Sequence, residues 1–206
     1  MADGPVVCDP LELLRQARAG DGDALGRLLG LYRNYLALLA RLQVDGRLRA
    51  KVDASDVVQE ACLEAHRDFR GFRGSTEKEL LGWLRQVLVR NLSNLIRHYA
   101  GSQRRDVRRE RSLAAAVDRS SAALEAGLVA PQSSPSQQAD RREQAVLLAE
   151  ALQDLAADHR EVIILRNLEG LSFPDVSCRM GRSVDAVEKL YARALIQLRR
   201  HLGGPR

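Results

Sequence analysis

Aromatic residues make up only 4% of the chain, with a single tryptophan, while Leu, Ala and Arg abound. Sheet cores draw on aromatic and β-branched side chains, so this balance disfavours a sandwich or barrel and favours an all-α build. Cysteine is scarce as well. Cys8, Cys62 and Cys178 are odd in number, far apart and form no Cys-x-x-Cys pair, which excludes a disulfide framework and fits a reducing cytoplasm. No apolar run approaches the roughly 20 residues that cross a bilayer, and the N-terminus lacks the basic-then-apolar order of a secretory signal. No membrane insertion is expected, and the chain reads as cytoplasmic.

Patterns that carry chemistry are also missing. The acids Asp53, Asp56, Glu60 and Glu64 lie near His66, but Leu63 stands three residues before that histidine, so the Glu-x-x-His pattern of di-metal bundles is absent. There is no phosphate-binding glycine loop of the Walker type and no nucleophile motif. No catalytic residue, metal or cofactor is expected.

What is present is positive charge and helical punctuation. A net charge of +5 suits a polyanionic partner, and 206 residues suffice for one or two domains. Between Leu171 and Leu198, Ser172 can N-cap a short helix that ends at Gly181, and Ser183 can cap the next. This is the spacing of a helix-turn-helix. In its second helix Val187, Leu190, Tyr191, Ala194, Leu195 and Leu198 form the inward face. Asp185, Ala186, Glu188, Lys189, Ala192 and Arg193 are left able to reach a major groove, and Arg182 and Ser183 at the turn before the helix are further candidates to contact the same DNA. Glu188 can accept from a cytosine amino group or pair with Arg182 or Lys189.

The N-terminal part reads as a series of amphipathic helices. Asp9 caps the first, from Pro10 to Ala19, with Leu11 and Leu14 inward, and the second carries an apolar face from Leu25 to Leu42 before Asp45 and Gly46 turn the chain. A third starts near Asp53 or Ser55 and turns Val58, Ala61, Cys62, Ala65 and Phe69 inward. Its other side holds Asp56, Glu60, Leu63 and Arg67. Acids there favour the helix dipole, whereas an exposed leucine among them favours a partner surface.

The loop from Phe69 to Thr76 sets Phe69, Arg70, Phe72, Arg73 and Ser75 beside two glycines. Such a loop can hold a phosphate backbone and stack an unpaired base, or its aromatics can plug the core. A long helix from Glu77 to Tyr99 follows, with Leu81, Leu84, Leu88, Leu92 and Leu95 inward and Trp83, Gln86, Arg90, Asn94 and Arg97 opposite. Trp83 suits either nucleic acid or packing.

Residues 1–100 therefore form one expected domain, and 101–139 a basic, then Ala-, Ser-, Pro- and Gln-rich flexible linker. A coil of about 40 residues typically spans roughly 35 Å, enough for two domains to grip separate sites. Residues 140–206 form the second domain. There Ala145, Leu148, Ala149, Leu152 and Leu155 mark one helix, and Val162, Ile163, Leu165 and Leu168 the next, with Asp158 as its cap and Gly170 as its stop.

Asp56-Val57-Val58-Gln59-Glu60-Ala61, then Phe72-Arg73-Gly74, Trp83-Leu84 and Arg90-Asn91-Leu92, resemble the second conserved region of bacterial sigma-70 family factors. The run from Asp158 to Arg166, then Glu169-Gly170-Leu171-Ser172 and Arg193-Ala194-Leu195, resembles the fourth region. Two such blocks joined by a linker are similar to the extracytoplasmic-function group, although Glu188 and Leu190 stand where many relatives carry basic residues. The resemblance implies that Asp56, Gln59, Glu60 and Leu63 dock on core RNA polymerase. It also implies that Phe69, Arg70, Phe72, Arg73, Ser75, Trp83, Arg90, Asn94 and Arg97 melt and hold the minus-ten element of promoter DNA. The helix-turn-helix would read the minus-thirty-five element as duplex, and an anti-sigma factor is a further candidate partner. The rival is a conventional operator-binding regulator, which leaves the Asp56 block without a role.

Overall fold

A computed structural model describes residues 9–43, 53–99, 107–126 and 137–203, and among these described residues there are helices and no strand. The chain divides into two compact units, Met1–Val117 and Asp118–Arg206.

In the first unit, α1 (Pro10–Arg18) starts where the Asp9 carboxylate accepts from the Leu11 N–H at 3.0 Å and Pro10 supplies a preset φ. Leu13, Leu14 and Ala17 are buried, while Leu11, expected inward, is 51% exposed. The buried stripe is centred among those three residues, and Leu11 lies off its edge. Asp21 caps α2 (Gly22–Gln43) through the N–H groups of Asp23 and Ala24. Its apolar face is buried as expected from Leu25 to Leu39, with Leu42 half-buried at the end. The turn expected at Asp45 and Gly46 lies outside the described residues.

Next, α3 (Ala54–Asp68) is capped by Asp53, and a turn of 3-10 helix, Phe69–Gly71, leads toward α4 (Glu77–Tyr99). α2, α3 and α4 pack on one another, and α1 packs on α2. Leu28, Leu39, Val58, Ala65, Val87, Leu88 and Leu92 are wholly enclosed at their contacts. Each fully buried leucine contributes about 1.5–3 kcal/mol, so this core fixes which face of α3 and α4 is left outside.

The expected flexible linker holds a helix, α5 (Val107–Ala126), and the division between the units falls inside it. Ala, Arg and Glu are strong helix formers, and Val117, Ser121 and Leu124, four and three residues apart, are buried. So narrow a stripe does not stand out as an apolar face. The Pro131 to Pro135 stretch lies outside the described residues.

In the second unit, α6 (Gln137–Gln153), α7 (Ala157–Ile163), α8 (Phe173–Met180) and α9 (Val184–Gly203) follow. α9 packs on α6, α7 and α8. The core takes Leu148, Leu152, Leu155, the whole run Val162 to Leu165, Val176, Val187, Ala194 and Leu198. α7 runs on through a π-turn, Ile164–Leu168, whose wider winding the sequence pattern does not show. Asp158 is not its cap. Ala156 holds that place without a side-chain bond, and Asp158 instead pairs with Arg182.

Candidate nucleic-acid interface

The turn between α8 and α9 is built as its sequence requires. The Ser172 hydroxyl accepts from the Asp175 N–H at 3.3 Å, and Gly181 takes a left-handed φ of 63°, open to glycine at no steric cost. Its successor's N–H returns to the Ser177 carbonyl at 3.1 Å, and the Ser183 hydroxyl accepts from the Ala186 N–H at 3.3 Å. Val187, Ala194 and Leu198 anchor α9, with Leu190, Tyr191 and Leu195 half-buried at the margins of the stripe. Asp185, Glu188, Lys189 and Arg193 are exposed, as are Arg182 and Ser183, while Ala186 is half-buried. The charges are not all open: Lys189 Nζ lies 2.9 Å from Asp185, and Arg182 is held by Asp158. Neither cation goes to Glu188.

On α3, Asp56, Gln59 and Glu60 are exposed, and Leu63 beside them is 50% exposed. The two acids carry no ion pair among the described residues. Three acceptors and an uncovered leucine thus occupy successive turns of one face.

Of the two readings open for the following loop, aromatics that stack a base or aromatics that plug the core, the packing follows the second. Phe69 and Phe72 are buried, with ring centroids 5.8 Å apart, and both pack on Trp83 at 6.2 and 5.2 Å. Apolar rings next to a helix bundle gain more from burial than from solvent exposure, so the two phenylalanines form the loop's foundation and show no face to a base. Arg70, Arg73 and Ser75 are exposed above them, and Trp83 is half-buried.

Along α4, Arg90, Asn94 and Arg97 follow Trp83, and all three are engaged within the protein. Arg90 lies 2.8 Å from Glu64 of α3, whose other oxygen accepts from Asn91 Nδ2 at 2.6 Å. Arg97 folds back onto the Ser93 carbonyl and the Asn94 side chain. Glu64 therefore ties α3 to α4.

Two family descriptions match the chain, Sigma-70 region 2 over residues 30–102 and Sigma-70, region 4 over residues 145–198. These spans hold the α3 stripe with its loop and the helix-turn-helix. The chain belongs to the sigma-70 family. It is 28% identical over 182 residues to the ECF RNA polymerase sigma-E factor of Haemophilus influenzae, covering 88% of this chain and 89% of the relative. It is 29% identical over 195 residues to the ECF RNA polymerase sigma factor SigM of Mycobacterium tuberculosis, covering 93% and 84%. A solved complex of CnrH with the cytosolic domain of CnrY is 26% identical, covering 96% of this chain and 100% of that one, with a TM-score of 0.36. This is a sigma factor of the extracytoplasmic-function group, acting in promoter-directed transcription initiation.

Several residues that shape the sigma factor's faces escaped the sequence expectations. Glu79 accepts from the N–H groups of Ser75 and Thr76 and from the Thr76 hydroxyl, while Thr76 Oγ1 accepts from the Glu79 N–H at 3.3 Å. That is a capping box, and Thr76-x-x-Glu79 was its signal. Arg166 donates to the Leu171 carbonyl at 3.0 Å and lies 4.9 Å from the centre of the Phe173 ring, which meets Tyr191 of α9 edge-on at 5.5 Å. No spacing rule announces such a stack, because its members come from three elements. No helix is long and apolar enough to cross a membrane among the described residues.

Proposed function

We propose that the two units divide promoter recognition between them. The face of Asp56, Gln59, Glu60 and Leu63 docks on the coiled coil of the largest subunit of core RNA polymerase. Arg70, Arg73 and Ser75 of the loop, with Trp83, Arg90, Asn94 and Arg97 of α4, melt the minus-ten element and hold its non-template strand. Phe69 and Phe72 serve this by supporting the loop. Melting costs a few kcal/mol per unstacked base, so the captured strand needs cationic and stacking partners in return. α9 enters the major groove of the minus-thirty-five element, with Arg182, Ser183, Asp185, Ala186, Glu188, Lys189 and Arg193 as its reading surface.

The α3 stripe carries this reading. An operator-binding regulator has no use for open acids around an uncovered leucine on a unit apart from its helix-turn-helix, whereas docking on polymerase uses both. The polymerase supplies the chemistry, so the chain needs no catalytic group of its own, and it works in the cytoplasm where polymerase and chromosome meet. An anti-sigma factor that silences it has these same faces to cover.

The test is reconstitution with core polymerase on a library of randomised duplex templates. The expected result is selective transcription from templates sharing an upstream and a minus-ten element, with no selection by the free protein. Tight, specific duplex binding by the free protein without polymerase association would overturn the reading.

A further inference from the structure

α1 lies outside residues 30–102, the stretch matched as region 2, yet it reaches the loop proposed to hold the melted strand. Arg18, on its last turn, donates to the Gly74 carbonyl at 3.0 Å across 56 residues of sequence. The loop is fixed from two other directions at the same point. From α4, the Glu79 carboxylate takes the Ser75 and Thr76 N–H groups at 2.9 and 3.0 Å. From below, the Phe72 ring is so close that a Cβ on Gly74 would stand 2.3 Å from its Cζ, and 2.8 Å from the Glu79 Cβ. Since real Cβ atoms do not approach so closely, position 74 requires glycine for the backbone to rest on the ring.

We propose that α1 is a clamp on this loop and Arg18 its positioning residue, setting the Gly74 peptide and so the directions of Arg73 and Ser75 on either side of it. The inference rests on the reading that the loop holds the non-template strand. Leu13, Leu14 and Ala17 seat α1 on α2, so Arg18 is presented from a fixed helix. A loop held in its binding geometry before the strand arrives loses less freedom on capture. As an exposed cation, Arg18 could instead touch a phosphate itself, and salt dependence separates the two roles. A lost phosphate contact flattens the slope of log affinity against log salt by roughly 0.7 for single strands, whereas a lost positioning contact lowers affinity at unchanged slope.

The experiment uses the assembled holoenzyme and a fluorescent single-stranded DNA carrying the minus-ten segment of a template it transcribes, with affinity read by anisotropy over a salt series. Arg18→Ala is expected to weaken binding about fivefold at unchanged slope, in the range of one ordinary hydrogen bond lost at an exposed position. Melting temperature and core-polymerase affinity should be unchanged, and Arg18→Lys, which keeps a donor on a long stem, should restore most of the loss. Arg70→Ala combined with Arg73→Ala should weaken binding with a shallower slope. If that double variant is affected but Arg18→Ala binds like wild type, or Arg18→Ala itself flattens the slope, the clamp is overturned alone. Wild-type binding by the double variant overturns the strand-holding loop, and the clamp with it.

Discussion

Two charged helix faces in this molecule are built on opposite plans. On α3, Asp56 and Glu60 are open, without an ion pair among the described residues, and surround an uncovered Leu63. On α9, Asp185 closes on Lys189, and just before it Asp158 closes on Arg182. Exposed ion pairs are worth only about 0–1 kcal/mol, so a phosphate can displace them at little cost. While closed, however, they keep cations from gripping any polyanion. Open charge around an apolar centre suits a protein partner that stays docked, whereas closed charge suits a surface that must choose among DNA sequences.

The most severe way to probe the α3 face is to separate it from the core that displays it. Leu88→Ala in α4, at a wholly buried position, should cost about 2–5 kcal/mol and lower the melting temperature. Leu63→Ala, at a half-exposed position on α3, should leave melting within the small range of surface substitutions yet weaken binding to core polymerase. Equal losses of stability in the two variants, measured by thermal denaturation, would show that Leu63 packs inside the protein and that the face is not open.

Charge on α3 should matter next most. Asp56→Ala with Glu60→Ala is expected to weaken core-polymerase binding about tenfold, chiefly through association, and to reduce its sensitivity to salt with melting unchanged. Wild-type affinity in a binding titration would remove the docking role. On α9 the complementary change is Asp185→Asn, which releases Lys189. Binding of the holoenzyme to unrelated duplex should then strengthen several-fold, with the salt slope steeper by roughly 0.9, and promoter preference should narrow. An unchanged slope would mean that the Asp185 pair does not restrain Lys189.

The sequence made one part of this comparison visible and hid the other. Helical periodicity placed Leu28, Leu39, Leu88 and Leu92 inside and Asp56, Glu60 and Leu63 outside, because a single repeat decides both. Ser172, Gly181 and Ser183 marked the helix-turn-helix through capping chemistry that is local by nature. What stayed hidden joins distant residues. Arg18 to Gly74, Arg90 to Glu64 and Asp158 to Arg182 are tertiary pairings, and no spacing along one helix shows that a cation is already engaged. The burial of Phe69 and Phe72 was open for the same reason, since only the position of Trp83 decides whether two loop aromatics turn in or out. α5 was missed because its buried stripe is one residue wide.

The smallest expected effect tests a closed acid, Glu79. Hydrogen bonds from the Ser75 N–H, then from the Thr76 hydroxyl and N–H, hold its carboxyl below the usual carboxylate range, with Arg18 adding a weaker pull in the same direction. A carboxyl whose folded pKa is depressed contributes stability that is fully present above its unfolded value and lost as pH falls through the folded one. Melting followed from neutral pH downward should therefore show no Glu79 contribution to the slope until below about pH 5, where the unfolded chain starts to take up the proton first. Because the group is exposed, the change will be slight beside that of the whole set of carboxylates. Glu79→Gln keeps an acceptor for one N–H but cannot titrate, so its melting temperature should fall less steeply with acid than that of the wild type. Identical acid limbs would show that the loop is held without this carboxylate, leaving Arg18 and the Phe72 ring as its supports.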